Sequence, residues 1–277
     1  MPKPIAERIA VSTWSLHRLM GTTYPHDLTT DALGPMTETY GPVGESLLDL
    51  PAALHNHGYH RMELVSFHLP SREPTYLDEL KGSLRDSGVG LQTLLIDAGD
   101  VTDPVHGARD QAWIARWIET ANALGAEHAR IIAGKQKPTR EALDRSVAAL
   151  RSLADGNAGS SVRLTTENWF DLLPSPAEVD YVLDKLGGRV GLLGDFGNWK
   201  GPGKYADLGK IMGRSELCHA KASFTGGVLD ADDFGKCVDL SEAAGYAGPY
   251  TLIFDSETPG EWHGLGIERD FIVNRVG

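Results

Sequence analysis

The strongest constraint on the fold is the alternation of short apolar runs with segments of helical periodicity along the chain. Eight runs have the composition of buried β-strands, and they cover 8–14, 61–67, 90–97, 129–134, 163–168, 190–195, 217–223 and 250–255. Most of them begin roughly 25 to 40 residues apart, which leaves room for a helix between consecutive strands. This order of elements predicts a parallel sheet with helices on its outer face.

Two of the intervening segments predict helices with recognisable ends. Ser175 and Glu178 have the spacing of a capping box, with a proline between them that is tolerated in a first turn. Apolar residues then recur on one face until Gly187, a typical residue beyond a helix end. A second helix carries Trp113 and Trp117 on an apolar stripe that also ends at a glycine.

Eight strands alternating with helices favour one (β/α)8 barrel, a TIM barrel, as a single domain over residues 1–277, because that architecture uses about 250 residues. A doubly wound open sheet is the alternative, but the sequence has no GxGxxG after the first strand and no GxxxxGK[ST]. The first interval is exceptional, since residues 20–45 are rich in glycine, proline and polar residues. In a barrel, this long loop between the first strand and its helix is expected over the carboxyl ends of the strands.

Composition narrows the location and the partners. The 26 basic and 38 acidic residues give a formal net charge of −12, and the basic residues form no run of five or more, so nucleic acid is not expected as a partner. Cys218 and Cys237 supply neither a disulfide framework nor a CxxC pattern. No apolar stretch approaches about 18 residues, and the first residues lack the apolar centre of a signal peptide. These features predict a cytoplasmic protein that does not enter the membrane.

Polar residues stand at the ends of four consecutive predicted strands. Glu167 ends the fifth strand, Asp195 ends the sixth, His219 lies in the seventh and Asp255 ends the eighth. The carboxyl ends of the strands meet at one face of a barrel, so three carboxylates and an imidazole are expected at one place. Crowded carboxylates repel one another unless a cation lies among them. We therefore predict a divalent metal, with Mn²⁺ preferred and Mg²⁺, Co²⁺ or Zn²⁺ as alternatives, because most of these ligands are oxygen atoms.

Each of these residues alone also has an ordinary structural interpretation. An aspartate such as Asp195 at a strand end can cap a helix or form an ion pair in a loop, and His219 can be a hydrogen-bonded core residue. The metal interpretation depends on their joint position and on two neighbours. Lys221 points to the same side of the strand as His219, and Glu167 lies between a β-branched strand and aromatic residues.

The same segments resemble a known superfamily. The motifs "LTTENWF", "GLLGDFGNW", "CHAKASF", "GPYTLIFDSETPGEW" and "LGAEHARIIAGK" are similar to those of the xylose-isomerase-like TIM-barrel superfamily. That superfamily contains sugar isomerases and epimerases, inosose dehydratases, keto-glycoside lyases and family-2 AP endonucleases. The resemblance implies that Glu167, Asp195 and His219 hold the metal, with Asp255 at a fourth position that is usually a glutamate.

The resemblance also implies the chemistry. A sugar isomerase or epimerase of this kind would remove a proton next to a metal-chelated carbonyl, with Glu167 as a catalytic base. Epimerases of this type use paired glutamates, so the shorter Asp255 argues against two-base chemistry unless Glu257 or Glu261 replaces it. The alternative is a lyase that cleaves 3-keto-glycosides by β-elimination, which needs only the first proton abstraction.

Further residues are expected around the metal. His68, after the second strand, is a candidate general acid or base, with a plain surface-loop histidine as the alternative. Lys135 and Lys221 are candidates for holding a substrate hydroxyl or an oxyanion, although Lys135 also suits a solvated loop. Three tryptophans near strand ends are candidates for an apolar wall against a sugar ring: Trp14, Trp169 and Trp199. The alternative is that they pack beneath the loops.

Two other functions are alternatives for a chain of this kind. An AP endonuclease of this superfamily gathers extra histidines, one of them just beyond the strand-six aspartate, but this chain has Asn198 there and is acidic. A non-catalytic barrel, or a subunit that needs a partner chain, would bind metal without carbohydrate turnover. The expected partner is therefore a small sugar, keto-sugar or glycoside, and the sequence leaves the oligomeric state, including a homo-oligomer, open.

Overall fold

The predicted apolar runs form eight parallel strands that close into a barrel in this computed structural model, which describes residues 4–277. The barrel strands are β1 (Ile9–Ser12), β2 (Arg61–Val65), β3 (Gly90–Ile96), β4 (His128–Ile131), β5 (Arg163–Glu167), β6 (Gly191–Asp195), β7 (Ser215–Lys221) and β8 (Tyr250–Ile253). Neighbours in the barrel follow chain order, and β8 pairs with β1 to close it. The predicted (β/α)8 fold is confirmed, and the first three residues of the predicted domain lie outside the described part.

Helices connect the strands on the outside of the barrel. They are α1 (His17–Met20), α2 (Leu50–Asn56), α3 (Pro74–Asp86), α4 (Gly107–Leu124), α5 (Arg140–Gly156), α6 (Pro176–Leu186), α7 (Lys204–Met212), α8 (Ala231–Ala243) and α9 (Glu261–Val276). Short 3-10 helices cover Ile5–Arg8, Thr13–Leu16 and Ser66–His68, and a two-stranded hairpin pairs Phe224–Thr225 with Val228–Leu229. Within residues 4–277, none of the helices combines the length and the apolar character that a bilayer crossing requires.

The two helices with predicted ends form where the sequence places them. In α6, the Ser175 hydroxyl accepts the N–H of Ala177 and donates to the Glu178 carboxylate at 2.5 Å, so both predicted capping residues act at this end. In α4, Trp113 and Trp117 are 1% and 0% exposed, which confirms the buried stripe. Helix packing against the barrel therefore follows from the apolar periodicity of the sequence.

Side chains alternate along the strands, which brings polar groups into the barrel mouth. On β6, Leu193 packs in a small apolar cluster and Asp195, two residues later, lines a cavity. On β7, Leu217 and His219 repeat this arrangement. The β6–β7 ladder pairs Asp195 with His219 directly. Two strands thus deliver a carboxylate and an imidazole side by side above an apolar layer.

The long first interval folds over one side of the barrel mouth. A 3-10 turn and the single turn of α1 come first, so the irregular segment runs over residues 21–49 and leads into α2. In this loop, the backbone N–H of Tyr24 donates to the carbonyl of Phe67. Asp31, also in the loop, forms ion pairs with Arg72 and Arg116 at 2.8 and 2.6 Å. The ring of Tyr40 lies 6.1 Å from that of Trp14, at the edge of the cavity described next. The loop therefore contributes an aromatic cover to the carboxyl end of the barrel.

Candidate active site

A cavity of about 170 Å³ opens at the carboxyl ends of the barrel strands. All eight barrel strands contribute to its wall; the lining residues are Ser12, Trp14, Val65, Leu95, Asp97, Arg130, Glu167, Trp169, Asp195, Asn198, His219, Lys221 and Ile253. Carboxylates, an imidazole and a guanidinium face the same small volume, with apolar side chains around them. Such convergence of charged groups in a concave site is typical of an active site.

Three of the predicted ligands form one compact cluster. One ligand atom from each of Glu167, Asp195 and His219 lies within 4.8 Å of the other two. His219 Nδ1 is 3.3 Å from Asp195 Oδ2 and 3.6 Å from Glu167 Oε1. All three residues are at most 5% exposed. Two carboxylate oxygens and one ring nitrogen therefore face a common point, as a divalent cation requires.

The strand-six carboxylate is held in a fixed orientation. Asp195 Oδ1 accepts the backbone N–H groups of Gly197 and Asn198 at 2.6 and 2.8 Å, which leaves Oδ2 toward His219. The side chain of Asn168 bridges β5 and β6 by bonding both the N–H and the carbonyl of Asp195. Although burial alone would raise the pKa of Asp195, its hydrogen bond with His219 and the nearby positive charges hold that pKa below its ordinary value. Asp195 is thus an ionised, preoriented acceptor.

A buried carboxylate lies behind the imidazole. His219 Nε2 donates to Glu63 Oε1 at 2.8 Å, and Glu63 is 0% exposed. This bond fixes the ring and leaves Nδ1 toward Glu167 and Asp195, the arrangement that supports a metal-ligating histidine. Burial opposes protonation, but the charges of Glu63 and Glu167 and the bond with Asp195 raise the pKa of His219 well above its ordinary value. The surroundings of this ring therefore stabilise positive charge strongly.

A buried arginine forms the opposite wall. Arg130, 2% exposed, donates to Asp97 Oδ1, and its Nε lies 3.0 Å from Glu167 Oε2. Among the described residues, neither Arg130 Nε nor Glu167 Oε2 has a hydrogen-bond partner, so this second contact is ionic and not an aligned hydrogen bond. Burial alone would lower the pKa of Arg130, but the neighbouring carboxylates raise it. Glu167 Oε1 accepts the Asn198 side-chain amide at 2.7 Å, so the two oxygens of Glu167 have different surroundings.

The charge in this volume favours a metal. The carboxyl groups of Glu63, Asp97, Glu167 and Asp195 meet here, and the cationic groups beside them are Arg130 and the His219 ring. Within residues 4–277, one oxygen of Glu63 and one of Glu167 are buried without a hydrogen-bond partner. A divalent cation held by Glu167, Asp195 and His219 would bring positive charge among these carboxyl groups. The donor set therefore fits the predicted metal.

The fourth predicted carboxylate lies outside the three-residue cluster. Asp255 Oδ2 is 3.3 Å from Lys221 Nζ, and the two side chains are 35% and 33% exposed. Of the two alternatives, Glu257 is exposed and Glu261 forms an ion pair with Arg18 at 2.7 Å. The carboxylate on the β8 side of the mouth is therefore at the rim and paired with a lysine.

The other predicted residues divide between the cavity and its surroundings. Lys221, Trp14 and Trp169 line the cavity, and Trp169 lies 5.1 Å from the Arg130 guanidinium. Trp199 lies outside it, 8% exposed, and donates its indole N–H to the Leu173 carbonyl. Lys135 also lies outside, with its Nζ 5.1 Å from the centre of the Phe170 ring.

His68 lies in the wall of a different cavity, beneath the long loop 21–49. It is 1% exposed, and its Nδ1 is 2.9 Å from Thr13 Oγ1, so the surface-loop interpretation is wrong. Burial lowers the pKa of His68 to about 3, which keeps the ring neutral. The structure thus separates His68 from Glu167, Asp195 and His219.

Sequence reasoning missed Glu63, Asp97 and Arg130. Each gave a usable signal, because a charged residue within or at the end of a buried strand needs a partner. Glu63 stands in "RMELV", Arg130 in "HARI" and Asp97 directly after β3. These residues hold two of the three predicted ligands in place.

Comparison with known proteins identifies the family of this chain and solved structures that share its fold. The sequence model of the xylose isomerase-like TIM barrel family matches residues 51–262. No curated protein sequence matches the chain. Among solved structures, a magnesium complex of a xylose isomerase-like TIM barrel protein from Mycobacterium smegmatis superposes with a TM-score of 0.66 at 15% identity, covering 97% of both chains.

Two further solved structures are named for reactions of sugars. An apo 3-keto-D-glucoside 4-epimerase from E. coli has a TM-score of 0.65 at 14% identity, covering 97% of this chain and 98% of that one. A D-allulose 3-epimerase from Methylomonas sp. in complex with D-allulose has a TM-score of 0.67 at 16% identity, covering 99% and 98%. At these identities the likeness establishes the shared fold.

Proposed function

Because the chain belongs to the xylose isomerase-like TIM barrel family, we propose that the cavity of about 170 Å³ is the active site of a divalent-metal-dependent carbohydrate enzyme. The observation that carries this proposal is the convergence of Glu167, Asp195 and His219 within 4.8 Å, with Glu63 fixing the imidazole. These three residues would hold the metal. Manganese is the proposed ion, with magnesium, cobalt and zinc as alternatives, because two of the three donors are carboxylates.

The proposed substrate is a ketose or another keto-sugar. Structural neighbours include enzymes named for 3-keto-D-glucoside and D-allulose, which supports this class. The cavity combines charged groups with the indoles of Trp14 and Trp169, which suits a ring that has both hydroxyls and apolar C–H faces.

The proposed chemistry is removal of a proton from the carbon next to a carbonyl. When bound, the metal would supply Lewis acidity that polarises this carbonyl and offsets the negative charge left by the proton. Glu167 is the proposed base; its Oε1 accepts the Asn198 amide, and its Oε2 lies 3.0 Å from Arg130 Nε. Arg130 stays charged beside Glu167 and orients it. Lys221 would donate from Nζ to a substrate oxygen at the rim.

We propose isomerase or epimerase chemistry first, and elimination from a 3-keto-glycoside as the second candidate. The second candidate is supported by Asp255, whose carboxylate is held by Lys221 at 3.3 Å at the rim of the site. Proton return to the opposite face of a sugar needs a second base, whereas expulsion of a leaving group needs only the first. Within residues 4–277, His68 does not line this cavity, and its role as an acid or base stays a prediction.

The test is proton exchange in deuterated water. Metal-loaded protein is mixed with ketoses and 3-keto-glycosides, and NMR follows deuterium entry next to the carbonyl and release of the aglycone. Exchange with an intact carbon skeleton is expected for an isomerase or epimerase, and aglycone release for a lyase. Both signals should disappear with a chelator and in Glu167→Gln, and persist in the matched surface variant Glu127→Gln, whose carboxylate is 49% exposed.

A different result would overturn the proposal. Protein that binds one metal ion but gives neither exchange nor release with any substrate would support a non-catalytic barrel or a subunit that needs a partner chain. Activity that survives complete removal of metal would contradict the assigned role of Glu167, Asp195 and His219.

A further inference from the structure

A second cavity adjoins the one that holds the proposed metal ligands. Its volume is about 540 Å³, and it shares Trp169, Asn198 and Lys221 with the first cavity. The first cavity alone measures about 170 Å³, which is smaller than the roughly 300–1,000 Å³ of ordinary ligand pockets. The two together fall within that range. The combined volume therefore has room for a substrate that is larger than the part of it that would contact the proposed metal site.

An aromatic pair forms part of the second cavity. Trp169 and Phe170 follow β5 directly, and their rings stack with centroids 4.2 Å apart and planes 30° from parallel. Phe170 is 37% exposed, so its ring is not part of the core. A partly exposed aromatic ring at the wall of a cavity is suited to contact the apolar side of a sugar or aromatic ring.

The backbone at Phe170 is strained. Its φ is 57°, in the left-handed region, which a bulky side chain adopts only when surrounding structure enforces it. The residues before it are fixed, because Glu167 belongs to the proposed metal site and Asn168 is bonded to the Asp195 backbone. A glycine at this position would avoid the strain. The presence of phenylalanine instead, with its ring in the cavity wall, indicates a contact with a ligand.

The charges of the second cavity are largely balanced. Its lining contains three lysines and two aspartates. Lys204 is paired with both oxygens of Asp233 at 2.7 Å, and Lys221 with Asp255 at 3.3 Å. The third lysine is Lys200, and the lining carboxyl groups of Asp171 and Asp207 oppose its charge, so an uncharged group is favoured over a phosphate or a carboxylate.

We propose that the substrate is a glycoside whose keto-sugar ring occupies the first cavity and whose second, uncharged ring lies against Trp169 and Phe170. This inference rests on the proposed function, since it places the reacting sugar at Glu167, Asp195 and His219. Trp169 and Phe170 would contact a flat apolar face of the ligand. Either an aromatic aglycone or a second sugar supplies such a face.

The test compares three probes that share the same reacting ring: methyl 3-keto-β-D-glucoside, its 4-nitrophenyl analogue and 3-keto-cellobiose. Dissociation constants are measured by calorimetry with Glu167→Gln protein, which prevents turnover, at a Mn²⁺ concentration shown by a separate metal titration to saturate this variant. We expect the ligand with the correct second ring to bind about 3- to 10-fold more tightly than the methyl glycoside. Tighter binding of the 4-nitrophenyl glycoside assigns an aromatic aglycone, and tighter binding of the disaccharide assigns a second sugar.

A second substitution tests the aromatic contact. Added to the same protein, Phe170→Asn removes the ring with a residue that tolerates a positive φ, so the preference for the larger glycoside should fall to about onefold. Phe170→Tyr should retain the preference, and Val105→Ala, at a position 77% exposed, should not change it.

The outcomes separate the two proposals. Equal binding of all three glycosides, with normal metal binding, overturns the second ring site and leaves the proposed function standing. No binding of any of the three, with normal metal binding, overturns the proposed substrate class as well. A preference that persists in Phe170→Asn also overturns the second ring site.

Discussion

Carboxyl groups are buried in two parts of the molecule, and their surroundings differ. At the barrel mouth, Glu63 and Glu167 are 0% and 4% exposed, and each is close to a buried positive or protonatable group. In α9, Glu268 is also 0% exposed, but neither of its oxygens has a hydrogen-bond partner in the part of the chain from residue 4 to residue 277. Burial raises the pKa of Glu268 well above its ordinary value, so it is a neutral acid. The buried acids at the mouth thus lie beside cationic partners, whereas burial alone raises the pKa of the acid in α9.

The largest expected effect comes from replacing Arg130, the buried positive charge at the barrel mouth. In metal-free protein, Arg130→Met leaves Asp97 and Glu167 without their buried partner and should lower the free energy of unfolding by about 3–5 kcal/mol. Chemical denaturation measures this difference. The matched variant Arg163→Met breaks the partly exposed Arg163–Glu216 pair, with side chains 34% and 38% exposed, and should cost below about 1 kcal/mol. Equal losses in the two variants would contradict the special role of burial at Arg130.

The next effect concerns the carboxylate behind the imidazole. Glu63→Gln keeps the size of the side chain but weakens its support of His219, so affinity for Mn²⁺ should fall about 10- to 100-fold. Metal titration by calorimetry measures this change. Glu127→Gln, at an exposed ion pair with Arg61, serves as the control and should bind metal as the wild type does. An unchanged affinity in Glu63→Gln would show that His219 needs no support from Glu63.

Replacing the buried acid of α9, Glu268, is expected to raise the stability of the protein instead of lowering it. Because its folded-state pKa is raised, the stabilisation from the retained proton is complete below the ordinary value of 4.5 and is lost as the pH rises toward the folded-state value. Glu268→Met removes this dependence, so at pH 8 the variant should be more stable than the wild type by about 1–2 kcal/mol.

Thermal unfolding from pH 5 to pH 8 measures the effect. The advantage of Glu268→Met should grow as the pH rises, and Glu268→Gln, which also lacks the charge, should show the same trend. A constant difference across this range would mean that Glu268 is not the titrating group.

The comparison also shows what sequence can predict. Glu167, Asp195 and His219 were identified because residues at the carboxyl ends of barrel strands meet in space whatever the details of packing. Glu63 and Arg130 were missed because a continuous apolar run does not reveal which side chains face the barrel interior and which face the helices. Their ion pairs depend on the strand register, which the sequence pattern alone does not specify.

The loops after the strands were predicted less well for a related reason. The sequence places His68 just past β2, but the turn of Ser66–His68 directs its side chain to Thr13 and away from the proposed metal site. Asp255 follows β8 by two residues, yet it pairs with Lys221. Loop backbone conformation decides these outcomes, and it is set by contacts between segments that are distant in sequence.

The smallest expected effect is at that rim pair, and it tests the fourth predicted ligand. Asp255 is about one-third exposed and bonded to Lys221, so Asp255→Asn should lower Mn²⁺ affinity less than about tenfold and stability by less than about 1 kcal/mol. Asp195→Asn, at a buried carboxylate with two backbone donors, should lower metal affinity by more than about 100-fold in the same titration. If the two substitutions weaken metal binding equally, Asp255 is a full ligand, and the lysine contact must then open when the metal binds. If only Asp195→Asn does so, the metal is held by the buried cluster, and the rim carboxylate acts on Lys221 alone.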